Sequence, residues 1–254
     1  MLDVCHLTKK FKKLTAVDSV SFTLHKGKVL GLVGGSGCGK STLARLLMRL
    51  IEPTSGQILL DGKEIADASP KQLSREMQMI FQDPFSSLNP RMTVGDLIGE
   101  PLQIHDLPDQ TDELLDAVAL PRSVKMRYPH EFSGGQRQRI GIARALALKP
   151  KILICDEPIS SLDVSTGAQI LQLLLTLKKE FGLTYLFIAH DLAVVYQVSD
   201  QIAVMSQGRI VERASPTELF SNPQHLETKR LLAAIPKFKR WERHPQHSGS
   251  HRCH

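Results

Sequence analysis

A glycine-rich run near the start of the chain has residue types and a spacing that suit phosphate binding. Residues 34–41 read Gly-Gly-Ser-Gly-Cys-Gly-Lys-Ser, which matches the pattern G-x-x-x-x-G-K-[ST]. Glycines allow the positive φ angles that turn backbone N–H groups inward around phosphate oxygens. Lys40 supplies a positive charge to the outer phosphates, and the Ser41 hydroxyl suits Mg²⁺. The alternative is a glycine turn that only joins a strand to a helix.

Two adjacent carboxylates form a second group with chemical potential. Asp156 and Glu157 follow the apolar run Lys151–Cys155. A carboxylate at the carboxyl end of a strand beside a phosphate loop can hold Mg²⁺, which suits Asp156. The next residue points to the other side of the extended chain, so Glu157 is free to polarise a water for attack on a γ-phosphate. On their own, these acids could equally be solvated loop residues.

The surrounding pattern predicts an α/β framework that would position both groups. Val29–Val33 is continuously apolar, as expected of a strand buried on both faces, and a helix is predicted over Ser41–Ile51. Lys151–Cys155 and Thr184–Ala189 are predicted strands separated by a helix over Gly167–Phe181. A strand–helix–strand unit of this kind implies a parallel pair.

Further segments extend this framework on both sides. Val17–Leu24 alternates apolar and polar residues, and Gln57–Leu60 is a second predicted strand of this region. Prolines punctuate residues 84–150, which contain no convincing buried strand and are interpreted as a helical insertion. The remaining predicted elements are helices over Thr111–Leu120 and Gly135–Leu148 and a hairpin formed by Gln201–Met205 and Arg209–Glu212.

Composition excludes several classes of protein. The chain has 254 residues, 42% hydrophobic and 23% charged, which excludes disordered and fibrous chains. No apolar run approaches the ~18–20 residues that span a bilayer, and no signal segment is recognisable. Four scattered cysteines predict a reducing compartment. Residues 237–254 carry a net charge of +4 out of the formal +6. The rest of the chain is therefore nearly neutral, and we expect no nucleic-acid partner.

A third motif carries a family resemblance. Phe132-Ser133-Gly134-Gly135-Gln136 resembles the signature motif of ATP-binding cassette (ABC) proteins. The other motifs follow in family order over about residues 1–235. Phe11 stands in the place of the aromatic residue that stacks on adenine, Gln82 resembles the Q-loop glutamine, Ser160–Asp163 resembles the D-loop, and His190 resembles the switch histidine.

The resemblance implies an α/β P-loop NTPase fold. It consists of a RecA-like parallel sheet core, an antiparallel β subdomain and an inserted helical subdomain. Residues 1–235 would form the ATP-binding domain, with a RecA-like lobe at about 1–84 and 151–235 and a helical signature lobe at about 85–150. Residues 236–254 would be a basic, His-rich flexible tail, in which four histidines and Cys253 could bind metal or form a solvated terminus.

The resemblance also implies roles for single residues in ATP hydrolysis. Glu157 would be the general base, His190 would hold the γ-phosphate and the attacking water, and Gln82 would sense the nucleotide. Two cassettes would pair head to tail, so that Ser133 completes the ATP site of its partner. The residues expected to bind Mg²⁺ are Ser41, Gln82 and Asp156; those expected to bind ATP are Phe11, Gly34, Gly35, Ser36, Gly37, Cys38, Gly39, Lys40, Ser41, Thr42, Ser133, Gly134, Gly135, Gln136 and Asp163.

Two segments point to the importers of peptides and nickel. Phe81–Arg91 resembles the Q-loop extension of those cassettes, and Asn222–Thr228 resembles their C-terminal segment, although Leu226 and Glu227 replace Pro and Tyr. Because the sequence ends soon after Pro236, nickel or a related metal complex is the expected cargo, and a di- or oligopeptide is the alternative.

The expected partners are two membrane permease subunits, a solute-binding protein that acts through them, and a second cassette. A different cassette is the favoured second cassette, and a second copy of this chain is the alternative. We expect a peripheral position on the cytoplasmic face of the inner membrane. Two other classes of protein fit less well. A cassette ATPase of DNA repair or translation would need a coiled-coil insertion or tandem cassettes. A small-molecule P-loop kinase would lack the Ser133–Gln136 signature and His190.

Overall fold

The computed structural model describes residues 1–83 and 87–235. The predicted tail at 236–254, and Pro84, Phe85 and Ser86 of the Q-loop extension, lie outside the described residues. The strands are β1 Leu2–Phe11, β2 Leu14–Leu24, β3 Val29–Val33, β4 Ser55–Leu60, β5 Lys63–Glu64, β6 Met77–Ile80, β7 Ile152–Asp156, β8 Thr184–Ile188, β9 Gln201–Ser206 and β10 Arg209–Ala214. The α-helices are α1 Lys40–Leu47, α2 Pro70–Glu76, α3 Val94–Ile104, α4 Thr111–Ala117, α5 Gly134–Leu146, α6 Val164–Phe181, α7 Leu192–Val198, α8 Pro216–Ser221 and α9 Leu226–Ala233.

A six-stranded sheet forms the centre of the fold. Its strand order is β10-β9-β3-β8-β7-β6. All neighbouring pairs are parallel except β9 and β10, which form an antiparallel hairpin at one edge. The helix α6 connects β7 to the adjacent parallel strand β8, as a parallel crossover requires. Strands β3, β7 and β8 are buried along their whole length, which explains their continuous apolar runs.

A smaller antiparallel sheet contains most of the N-terminal segment. Its order is β2-β1-β4-β5. In β2 the inward residues Val17, Val20, Phe22 and Leu24 are buried, whereas the residues between them are wholly or partly exposed. The predicted antiparallel subdomain is therefore confirmed, as are the parallel pair β7–β8 and the terminal hairpin.

Two apolar clusters cover the two faces of the central sheet. Alternate residues of each strand enter opposite clusters, as the pleat requires. Leu32 of β3 packs in the cluster that contains Leu43 of α1 and the antiparallel sheet. Val33, the next residue, packs in the cluster that contains Ile140 of α5 and Ile170 of α6. The helices of the middle segment are thus attached to one face of the sheet.

Some local features differ from the sequence-based expectation. The first helix ends at Leu47 instead of Ile51, because the chain turns at Arg49 with a φ of 52°. The Arg49 side chain stabilises that turn by donating to the Ile65 and Ala68 carbonyls at 2.8 and 2.6 Å. The strand β6 and the helix α2 before it were not predicted. Among the described residues, no helix combines the length and apolarity needed to cross a membrane.

Candidate active site

The phosphate loop connects β3 to α1, as the motif predicts. Gly37 and Gly39 have φ angles of 75° and 109°, in the region that favours glycine. A Cβ atom at Gly39 would lie 2.1 Å from the Ala16 carbonyl oxygen, and one at Gly34 would lie 2.2 Å from the Met205 carbonyl oxygen. Only glycine fits at these two positions, so the loop is shaped by close backbone contacts.

Lys40 is held inside this loop. It is 5% exposed, and its Nζ donates to the Gly34 and Gly35 carbonyl oxygens at 2.9 and 3.1 Å. The ammonium group therefore lies at the mouth of the same loop whose backbone would surround phosphate oxygens. A buried ammonium group whose closest hydrogen-bond partners are neutral carbonyls is well placed to pair with an anion, because a charge-assisted hydrogen bond to phosphate is stronger than one to a neutral acceptor.

Ser41 and Asp156 meet at the end of β7. The Ser41 hydroxyl donates to Asp156 Oδ1 at 3.2 Å. Asp156 is 5% exposed, and burial raises the pKa of its carboxyl group, while the Ser41 hydrogen bond and the cations of Arg45 and Lys40 act in the opposite direction. A hydroxyl and a buried carboxylate are the oxygen donors that Mg²⁺ uses together with phosphate oxygens and water. Within the described residues, no cluster of three or more His, Cys, Asp or Glu side chains forms a complete metal site.

Glu157 lies at the centre of a small hydrogen-bonded group. Its Oε2 accepts from Gln82 Nε2 at 3.2 Å and lies 3.2 Å from His190 Nδ1. The backbone of Glu157 has a φ of 46°, and its N–H donates to the Ile188 carbonyl at 3.0 Å. A left-handed conformation at a residue other than glycine costs about 1 kcal/mol or more and is concentrated at functional sites. The side chain is only 15% exposed, whereas His190 is largely open to solvent.

Phe11 lies at the end of β1 with 44% of its surface exposed. The ring is therefore not part of the apolar core. Lys9 Nζ lies 5.0 Å from the centre of the ring, so a basic side chain borders the exposed aromatic face. The exposed ring is available to stack on a planar group.

The signature residues begin α5. Ser133 is the N-cap: its side chain accepts from the Gln136 N–H, and Gln136 Oε1 accepts in return from the Ser133 N–H. A Cβ atom at Gly135 would lie 2.3 Å from Thr166 Cγ2, so glycine permits the close approach of α5 and α6. Asp163 caps α6 by accepting from the Thr166 N–H at 2.9 Å. Within one chain, the signature residues therefore lie beside the 160–163 segment. Lys40 does not bond to either of them and instead donates to carbonyls of its own loop.

The structure also reveals a carboxylate beside the loop that the sequence analysis did not assign to the site. Glu227 of α9 reaches Gly35, and Glu212 of β10 anchors the segment that carries it. In the sequence, Glu227 was notable only because it replaces the Tyr of the importer segment. That replacement does not indicate that residue 227 lies near the phosphate loop.

Comparison with known proteins identifies the family to which the chain is similar. The ABC transporter family model matches residues 17–160. The oligopeptide transport ATP-binding protein OppF of Bacillus subtilis is 52% identical over 251 residues, covering 93% of this chain and 82% of that protein. The oligopeptide transport ATP-binding protein AppF of the same organism is 50% identical over 238 residues, covering 90% and 72%. Both names concern peptides, so these relatives favour the peptide alternative over the nickel expectation.

Solved structures give the same result for the fold. The chain aligns with cbiO1 of Clostridium perfringens, part of the ABC transporter complex cbiONQ, with a TM-score of 0.78, 32% identity and coverage of 87% of this chain and 90% of that one. It also aligns with the dimeric ATP-binding cassette MJ0796 bound to ADP and Pi, with a TM-score of 0.75, 28% identity and coverage of 85% and 99%. The chain therefore belongs to the ABC transporter family, as an ATP-binding and ATP-hydrolysing cassette.

Proposed function

We propose that this cassette hydrolyses ATP to drive the import of oligopeptides. The reaction is supported by the Glu157 carboxylate, which is bonded to Gln82 and His190 beside the Ser41–Asp156 pair. The cargo is supported by two relatives of at least 50% identity over at least 90% of this chain, both of them oligopeptide transport proteins.

The nucleotide would lie along the loop that begins α1. Lys40 would leave the Gly34 and Gly35 carbonyls for the outer phosphates of ATP, while the exposed ring of Phe11 stacks on adenine. The backbone N–H groups of residues 34–42 surround the phosphates. The other loop residues in contact with ATP are Ser36, Gly37, Cys38, Gly39, Ser41 and Thr42.

Ser41 and Asp156 would hold Mg²⁺, with Gln82 completing the protein's share of the ligands. The ion would neutralise charge on the phosphates during hydrolysis. In the structure Gln82 bonds instead to Glu157 at 3.2 Å. We infer that Gln82 breaks its hydrogen bond to Glu157 and binds the metal ion when the nucleotide binds. This movement of Gln82 would signal to the permease that the nucleotide site is occupied.

Glu157 would act as the general base. Its carboxylate takes a proton from the water that attacks the γ-phosphate, and His190 holds the γ-phosphate and that water in place. The hydrogen bond between Glu157 Oε2 and His190 Nδ1 at 3.2 Å supports this assignment, since it fixes the carboxylate and orients the imidazole ring.

The signature would complete the site of a second, different cassette. Ser133, Gly134, Gly135 and Gln136 would face the ATP of the partner, and Asp163 would border the same interface. The exposed N-cap at Ser133 supports this role, because the free N–H groups at a helix start bind phosphate.

We assign residues 1–84 and 151–235 to a RecA-like lobe, residues 85–150 to a helical lobe and residues 236–254 to a tail. The assembly would contain two permease subunits, receive cargo from a solute-binding protein and keep this chain on the cytoplasmic face of the inner membrane.

Uptake in a strain that lacks this chain tests the cargo. We expect a labelled tripeptide to enter only when the wild-type gene is restored, and Glu157→Gln to leave uptake at the level of the deletion. Nickel uptake is measured in the same cells. Restoration of nickel uptake without peptide uptake would overturn the peptide assignment.

A further inference from the structure

The C-terminal helix α9 is anchored to β10 by one carboxylate. Glu212 Oε1 accepts from the Gln224 N–H at 2.9 Å, and Oε2 accepts from the His225 N–H at 2.8 Å and from the Thr228 hydroxyl. Thr228 is completely buried. Burial by itself would raise the pKa of Glu212, but these three hydrogen bonds outweigh it and lower the pKa. The start of α9 is therefore fixed by charge-assisted hydrogen bonds.

This anchor brings a second carboxylate to the phosphate loop. Glu227 lies in the first turn of α9, and its Oε1 is 3.5 Å from the position that a Cβ atom of Gly35 would occupy. Its side chain is 20% exposed. Within the part of the chain that the structure describes, its ion-pair partner is Arg230, whose Nη1 lies 3.8 Å away on a side chain that is 70% exposed. The Glu227 charge also contributes to the raised pKa of Cys38 in the loop, behind the larger effect of burial.

A negative charge at this position disfavours the binding of phosphate by the loop. The loop N–H groups and Lys40 attract phosphate, whereas a carboxylate within a few ångströms of Gly35 repels it. Because Glu227 is mostly shielded from solvent and Arg230 is mostly exposed, the repulsion is only partly cancelled.

We propose that Glu227 sets the nucleotide affinity of this cassette, by weakening the binding of ATP and ADP phosphates at residues 34–41. Glu212 is the positioning residue that keeps Glu227 there. The proposal goes beyond the cargo and the base assignments, and it rests only on ATP binding at the phosphate loop. Its consequence is easier release of ADP after hydrolysis, and a direct connection between the C-terminal segment and the nucleotide site.

A structural role for Glu227 makes a different prediction. An acidic residue in the first turn of a helix interacts favourably with the helix dipole. If that were its only role, Glu227→Gln would lower the thermal stability and leave the affinity for phosphate unchanged. Nucleotide affinity and its dependence on salt and on phosphate number therefore separate the two roles.

The test is equilibrium titration of fluorescent ATP and ADP into the purified assembly. We expect Glu227→Gln to bind ATP about three- to tenfold more tightly than the wild type at 0.05 M KCl, with a smaller gain for ADP. The gain should shrink at 0.5 M KCl, because salt screens the repulsion. Arg230→Gln should weaken binding, since it exposes the loop to the full charge of Glu227.

Two variants act as controls. Glu218→Gln removes a first-turn glutamate from the neighbouring helix α8, whose side chain is exposed, and should leave both affinities unchanged. Glu227→Asp keeps the charge on a shorter side chain and should give an intermediate affinity. The proposal is overturned if Glu227→Gln binds ATP no more tightly than the wild type, or if its gain is the same for ATP and ADP and insensitive to salt.

Discussion

The Glu157 carboxylate and the His190 imidazole are hydrogen-bonded, with Oε2 3.2 Å from Nδ1. The two residues follow different strands, since Glu157 comes directly after β7 and His190 comes two residues after β8. Because β7 and β8 are parallel neighbours, both side chains emerge at the same edge of the sheet. The order of the parallel strands therefore places a carboxylate and an imidazole side by side. Strand β3, which leads into the phosphate loop, also pairs with β8, so the loop begins at the same edge of the sheet.

Lys40→Ala should weaken ATP binding by about 10- to 100-fold, because a charge-assisted contact to phosphate is lost. Titration of ATP into the purified assembly measures this loss. Lys179→Ala, on the exposed surface of α6, removes the same charge elsewhere and should bind ATP as the wild type does. Unchanged affinity in Lys40→Ala would contradict the assigned role.

Asp156→Asn should remove the dependence of nucleotide binding on Mg²⁺. The substitution keeps the shape of the side chain but removes the negative charge that faces Ser41. In thermal unfolding, the wild type should be stabilised more by ATP with Mg²⁺ than by ATP with EDTA, and Asp156→Asn should show the same midpoint in both. A preserved difference in the variant would place the metal elsewhere.

Ser133→Arg should abolish ATP hydrolysis without unfolding the chain. Ser133 is exposed, so the larger side chain is tolerated, and loss of the N-cap costs about 1 kcal/mol of stability. We expect the unfolding midpoint to fall by only about 2–4 °C. A much larger fall in the unfolding midpoint would indicate that Ser133 serves only as a structural helix cap. In an assembly with a different partner cassette only one of the two ATP sites carries the change, so any residual hydrolysis measures the activity of the other site.

Glu212→Gln tests the anchor of α9 through pH. The folded state lowers the pKa of Glu212, so its ionised form stabilises the fold above the unfolded pKa of about 4.3, and this contribution is lost as the pH falls through the lower folded pKa. The stability advantage of the wild type over Glu212→Gln, from urea unfolding, should therefore be constant at neutral pH and decline below about pH 4. If the stability advantage of the wild type instead grew as the pH fell, Glu212 would not be stabilising the fold in its ionised form.

The phosphate loop and the capped start of α5 were predictable because their chemistry is local. Gly39 and Lys40 are adjacent in sequence, and Ser133 and Gln136 form a capping box within four residues. In contrast, the contacts of Gln82 and His190 with Glu157 join three distant segments, and only the family resemblance suggested their roles. The parallel pairing that brings them together depends on the whole sheet.

The parts that the sequence did not predict depend on tertiary contacts. β6 is only four residues long, and its strand geometry comes from pairing Met77–Ile80 with Ile152–Cys155 of β7. The turn at Arg49 depends on carbonyl acceptors at Ile65 and Ala68. Glu227 approaches Gly35 from the start of a helix that Glu212 hydrogen-bonds, and no local pattern encodes a contact between these distant segments.

Glu157→Gln in the purified assembly decides whether Glu157 activates the water that hydrolyses ATP. Bound ATP and released phosphate are measured on the same sample. The variant should bind ATP with the affinity of the wild type, retain it in a closed dimer and release phosphate at least about 100-fold more slowly, since it keeps the shape of the base but not its proton affinity. Phosphate release at the wild-type rate would show that Glu157 is not the base.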